Sequence, residues 1–222
     1  MRARGIDISH WKAVKDWDAV YDSGVSFVGV KATEGNTYLD PKLRTHRDEL
    51  RRRPFKLGIF YHFARSGSAV KQAERLEDSV GSLRDNERLC LDLEVCPTQN
   101  PDQAVEWLDD FFETLLNGVC SNRRPLLYTS KRIWRQIGNP EWSFASEVDL
   151  WAPRYNPVEE PKLPLPWVAA GWTFWQWSDS EKIPGIDGGC DANYFRGDEA
   201  ELSRYARLGI GPEDVTPRPP VV

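Results

Sequence analysis

Eight short runs rich in aliphatic, β-branched and aromatic residues recur along this chain, separated by longer polar or amphipathic segments. This rhythm constrains the fold more than any other feature, because apolar strands alternating with amphipathic stretches are the sequence form of βα units around a parallel sheet. The runs are Gly5–Ser9, Phe27–Lys31, Lys56–Phe63, Leu89–Val95, Pro125–Thr129, Asp149–Arg154, Thr173–Trp177 and Cys190–Tyr194. Asp40-Pro41 and Asn100-Pro101 each place a capping side chain before a proline suited to a first helical turn, the second opening a helix over Asp102–Leu116. Ser68 is expected to cap a helix over Ala69–Leu83. After the fifth strand the helices fade. Pro153–Pro166 reads as a proline-rich loop, the last three strands are joined mainly by loops, and Asp198–Leu208 reads as a closing helix. Eight strands predict one closed α/β barrel over residues 1–210, followed by a proline-rich tail or linker over 211–222.

In such barrels chemistry collects at the C-terminal ends of the strands. Asp92 and Glu94 stand at i and i+2 in Leu89-Cys90-Leu91-Asp92-Leu93-Glu94-Val95. A side-chain period of two puts both carboxylates on one face and Leu91, Leu93 and Val95 on the other. Burying two acids costs several kcal/mol unless they are paired, hydrogen-bonded or protonated, and neighbouring carboxylates push one pKa up. A raised acid beside an ionised partner is what cleavage of a glycosidic bond requires. An exposed polar face on an edge strand accounts for the pair equally well in isolation. Asp7, in the apolar run Gly5-Ile6-Asp7-Ile8, and Asp191, in the last strand, add two acids that a closed barrel brings beside each other. Four acids from strands one, four and eight then converge.

The chain has 10 Trp, 7 Tyr and 9 Phe. Aromatic rings pack on the C–H faces of sugars while polar partners take the hydroxyls. Tyr128, Trp151 and Trp175 are read as sugar contacts, and Trp107, Trp172 and Phe174 as core.

Other classes fall away. A net charge of −5 argues against nucleic acid, which demands a cationic stripe. The one basic run, Arg51-Arg52-Arg53, reads as a solvated helix end. No apolar stretch approaches a membrane span, so no membrane insertion is expected. The basic start, Met1–Asp7, is not followed by an apolar segment, so the reading is a protein made in a host cytoplasm without a secretory signal and released by lysis. Histidines 10, 46 and 62 make no zinc-binding pattern, no G-x-S-x-G elbow occurs, and no glycine-rich nucleotide loop is present, so no metal and no cofactor are expected. The cysteines at 90, 96, 120 and 190 form no C-x-x-C pair. Cys90 and Cys96, about 20 Å apart along one strand, cannot bond to each other, and all four are read as reduced and mostly buried.

Taken in order, Gly5–Trp11 (GIDISHW), Phe27–Gly35 (FVGVKATEG), Gly58–Arg65 (GIFYHFAR), Leu91–Glu94 (LDLE), Leu127–Ser130 (LYTS), Leu150–Tyr155 (LWAPRY), Trp175–Ser178 (WQWS) and Asp191–Phe195 (DANYF) resemble the glycoside hydrolase family 25 lysozymes, the Chalaropsis-type muramidases. The resemblance spreads over nearly the whole chain before the tail. It implies a (β/α)5(β)3 barrel of TIM-like type, and hydrolysis of the β-1,4 bond between N-acetylmuramic acid and N-acetylglucosamine in bacterial peptidoglycan. It implies Glu94 as general acid and Asp92 as the acid that stabilises charge or orients the acetamido group, with Asp7 and Asp191 as the other active-site acids. It places Tyr61, Tyr128, Trp151 and Gln176 along the groove, with Glu34 a further candidate. Departures are small: Cys190 replaces an aliphatic residue, Trp177 replaces a common Tyr, and Pro153 sits inside the sixth-strand motif. Family members often carry a wall-binding module, and none is expected within this chain. The expected partner is the glycan strand, the expected state a monomer, and the expected setting a phage endolysin. The rival readings are a chitinase-like D-x-E glycosidase and a wall-binding barrel that has lost catalysis.

Overall fold

The computed structural model describes residues 1–156 and 159–208, so the tail expected over 211–222 lies outside the described residues. Its strands are β1 (Arg4–Ile8), β2 (Val25–Glu34), β3 (Tyr38–Leu39), β4 (Leu57–Phe63), β5 (Glu87–Leu93), β6 (Leu126–Thr129), β7 (Asp149–Pro153), β8 (Phe174–Glu181) and β9 (Cys190–Phe195). The helices are α1 (Trp17–Asp22), α2 (Leu43–Arg52), α3 (Ala69–Val80), α4 (Ala104–Asn117), α5 (Lys131–Gln136) and α6 (Glu199–Leu208). The sheet runs β1-β9-β8-β7-β6-β5-β4-β2, and pairing of β1 with β2 closes it into an eight-stranded barrel. Only β9 among the barrel strands runs antiparallel to its neighbours. Each of the first five barrel strands is followed by an α-helix, no α-helix joins β7 to β8 or β8 to β9, and α6 follows the last strand, which is the (β/α)5(β)3 arrangement with a closing helix.

All eight predicted strands are present. β3 was not foreseen; it forms a small hairpin on the end of β2, outside the barrel wall. Ser68 caps α3 as expected, but the helix stops at Val80, where Gly81 takes φ 63°, a conformation that favours glycine. Asn100 caps a single 3-10 turn, Pro101–Gln103, that leads into α4. Asp40 does not cap α2 directly: Oδ1 accepts from Lys42 N–H at 2.9 Å, and Oδ2 is given to His10. Instead of fading altogether after β6, the helical pattern continues into the one short α5, capped by Ser130. The arginine run does end a helix, but it is paired rather than merely solvated. Arg51 makes two 2.7 Å bonds to Glu87, and Arg53 bonds Asp18 at 2.7 Å. All four cysteines are free thiols, and all but Cys96 are buried.

Two apolar layers hold the fold. One lies between the strands and the surrounding helices, where Leu76 of α3 and Phe111 and Phe112 of α4 are wholly covered. The other fills the lower half of the barrel, where Phe27, Leu57, Leu126 and Phe174 stand near the starts of parallel strands. Leu202 and Tyr205 of α6 join this second layer and plug the barrel from below. The buried Arg88 fixes that plug: its Nη2 donates to the carbonyls of Tyr205 at 3.2 Å and Ala206 at 2.8 Å. With the bottom sealed, open space remains at the C-terminal ends of the strands.

Candidate active site

A depression of about 180 Å³ sits in this upper mouth, lined by Asp7, Ser9, Lys31, Tyr61, Phe63, Asp92, Glu94, Tyr128, Trp151, Tyr155, Gln176 and Asp191. The register explains the convergence. β1 and β9 pair antiparallel with Asp7 opposite Asp191, and β5 and β6 pair with Asp92 opposite Tyr128. Glu94 follows the last residue of β5, so it stands nearer the rim than Asp92. The space above Gly29 is taken by the Trp151 ring. A Cβ there would lie 2.8 Å from the indole and 2.9 Å from the Asp7 Cβ, so only glycine lets Trp151 reach across as the floor.

The four acids are embedded in different ways. Asp7 Oδ2 accepts from Asn193 Nδ2 at 2.8 Å and Gln176 Nε2 at 3.0 Å. Burial raises its pKa, and the hydrogen bonds from Asn193 and Gln176 pull it back down. Asp191 is pushed up to about 8, first by burial and then by the charge of Asp7, to which it is hydrogen-bonded. Asp92 lies deepest. Burial and the neighbouring charges of Glu94 and Asp7 lift it well above the carboxylate range, and its Oδ1 has no hydrogen-bond partner. Glu94 is raised as well, by burial and then by Asp7, while its bond with Asp92 and the charges of Arg132 and Lys31 oppose the rise. The sequence reading assigned the charge to Asp92 and the proton to Glu94. In the free protein both acids are raised, Asp92 the more because it is the more deeply buried of the pair, so it competes with Glu94 for a shared proton.

Eight of the ten residues singled out in the sequence meet here: Asp7, Asp92, Glu94, Asp191, Tyr61, Tyr128, Trp151 and Gln176. Two do not. Trp175 is 1% exposed and points to the opposite face of β8, against Trp172 and Tyr194, with its Nε1 donating to the Arg154 carbonyl at 2.9 Å. Strand alternation sends Gln176 inward and its neighbour Trp175 outward, so the expected sugar contact is corrected to a packing role. Glu34 lies in an adjoining depression beyond Lys31, where Lys31 and Arg65 hold it charged. Trp151 reaches the depression but is 2% exposed, and its Nε1 is committed to Asn193 Oδ1 at 2.8 Å. Asn193, Ser9, Lys31 and Phe63 were not singled out as site residues. Asn193 was within reach of sequence reasoning, since it stands two residues from Asp191 and therefore on the same face of β9. Among the described residues, no group of three His, Cys, Asp or Glu side chains is disposed to hold a metal ion.

A pair of acids sharing a proton at a rim, backed by polar donors and aromatic walls, can protonate a leaving oxygen and stabilise an adjacent positive charge. The profile of glycosyl hydrolases family 25 matches residues 6–186. Lysozyme M1 of Streptomyces globisporus is 30% identical over 217 residues, covering 91% of this chain and 71% of that protein. A bacterial lysozyme from Streptomyces coelicolor superposes with a TM-score of 0.85 at 27% identity, covering 95% of this chain and 99% of the other. A family GH25 lysozyme from Aspergillus fumigatus superposes at 0.82 with 28% identity, covering 93% and 99%.

Proposed function

The chain belongs to glycosyl hydrolases family 25 and is a lysozyme-type cell-wall hydrolase, and on that premise we propose that its acidic mouth cuts the β-1,4 bond from N-acetylmuramic acid to N-acetylglucosamine in peptidoglycan. The observation that carries this reading is the meeting of Asp7, Asp92, Glu94 and Asp191 in one depression walled by Tyr61, Tyr128 and Gln176.

Glu94, nearer the rim, is the proton donor to the leaving glycosidic oxygen. Asp92, below it, accepts the acetamido N–H of the bound sugar. A hydrogen bond donated to a carboxylate favours its charged form. Substrate capture therefore shifts the shared proton towards Glu94, which readies the acid and leaves a negative charge beside the anomeric carbon. Asp7, restrained by Asn193 and Gln176, and Asp191, holding its proton, orient the sugar from the other wall.

The test is digestion of purified peptidoglycan followed by mass spectrometry of the released fragments. New reducing ends on N-acetylmuramic acid are expected. Reducing ends on N-acetylglucosamine, or better turnover of chitin oligomers, would favour the chitinase-like alternative. Glu94→Gln is expected to lose roughly 10²–10⁴-fold in rate while keeping its fold. Near-normal clearance of cell-wall suspensions by that variant would refute the assignment.

A further inference from the structure

Beyond the acidic depression, on the side of β1, β2 and β4, lies a second and larger one of about 400 Å³, joined to the first through Lys31. Its wall carries Trp11, 80% exposed, beside Tyr38, 36% exposed. An indole left this bare offers apolar area whose burial against a ligand would be favourable. Trp11 is also held from below. The buried Asp40 accepts from His10 N–H at 3.1 Å and pairs with His10 Nδ1 at 2.9 Å. The His10 ring packs against Trp11 with centroids 4.4 Å apart, and Tyr38 Oη lies 3.1 Å from His10 Nδ1. Exposed aromatics positioned in advance and continuous with a catalytic groove match the C–H face of a sugar ring.

Resting on the activity proposed above, we infer that Trp11 is a stacking platform for an N-acetylhexosamine unit of the retained part of the glycan strand. The side follows from Glu94. As donor to the leaving oxygen it marks the leaving half of the strand, and it also lines a third depression, with Arg132 and Tyr155, at the ends of β6 and β7. The Trp11 shelf lies across the barrel mouth from it, and so receives the fragment that keeps the new reducing end.

Peptide-free glycan strands of four and eight sugars supply the test. Trp11→Ala is expected to raise KM for the longer strands about fivefold to tenfold, with kcat changed less than twofold, and to erase the preference for long strands. Trp11→Phe is expected to restore most of that preference. Binding is read separately in Glu94→Gln protein, where eight-sugar strands are expected to shield Trp11 from acrylamide quenching, by difference from the Trp11→Phe/Glu94→Gln protein. Unchanged length preference in Trp11→Ala, or no shielding, overturns the platform. A change of oligomeric state in Trp11→Ala also overturns it, since the shelf would then be a contact between copies. Shielding without cleavage of any strand by the wild type would instead count against the proposed activity and leave the platform standing.

Discussion

The Tyr128 hydroxyl donates to Gln176 Oε1 at 2.8 Å, and this bond decides which way the Gln176 amide faces. With the carbonyl end engaged, Nε2 is turned to Asp7 Oδ2 at 3.0 Å. Tyr128→Phe frees the amide to rotate and weakens the restraint on Asp7. One buried hydrogen bond is worth about 1 kcal/mol, so a loss of roughly fivefold to tenfold in wall-lysis rate is expected without a change in circular dichroism. An unaffected rate would mean that Asp7 needs no orientation by Gln176.

Asp92 carries an unpartnered buried oxygen and sits against two other acids. Asp92→Asn removes the cost of taking up a proton to bury this carboxyl beside two other acids, while retaining the shape of the side chain. The variant is expected to melt at a higher temperature than the wild type at neutral pH, and to lose roughly 10²-fold or more in activity. Scanning calorimetry beside a reducing-end assay tests both halves. A lower melting temperature would place the Asp92 carboxyl among stabilising groups instead.

Asp191 keeps its proton up to about 8 in the folded chain, against an ordinary value of 3.8. Between those values the folded state binds the extra proton. Its contribution is therefore fullest at low pH and is lost as pH rises towards 8. His46 and His62, held neutral by burial down to about 4, act in the opposite sense, costing stability as pH falls from 6.5 towards that value. Asp191→Asn should thus flatten the decline in melting temperature between about pH 5 and pH 8 relative to the wild type, with the histidine contribution cancelling in the difference. Parallel curves for the two proteins would rule out the coupling.

The close spacing of Asp92 and Glu94, two apart on one strand, suits retention assisted by the substrate's acetamido group better than a widely separated inverting pair. The first-formed reducing end should be the β anomer, seen by proton NMR within the first minutes of digestion. An initial α signal would require a water activated from the opposite face.

Arg88 ties β5 to the last turn of α6 through two carbonyls and is fully buried. Arg88→Met is expected to cost on the order of 3 kcal/mol, read from the urea midpoint, because charged hydrogen bonds to α6 are lost together. A shift below about 1 kcal/mol would show that apolar packing of Leu202 and Tyr205 suffices to hold the plug.

The barrel was legible because strand runs and amphipathic gaps alternate with little ambiguity, and because acids inside apolar runs are costly enough to signal a purpose. The site was legible where residues end strands, as Asp92, Glu94 and Tyr128 do. Trp175 was misread because aromaticity was weighed without strand parity: with Gln176 facing in, its neighbour had to face out. β3 and α5 were missed because two and six residues are too few to show a period. The competition of Asp92 with Glu94 for a shared proton follows from depth, which spacing along one strand does not reveal.

Since α6 stoppers the lower end of the barrel, bulk water reaches the carboxyl cluster from one direction. On the proposed activity, a glycan strand lying across the mouth would shut that doorway. The proton inventory with which bond cleavage begins would then be inherited from the instant of capture, so ambient acidity would act on the vacant enzyme and govern which encounters are productive.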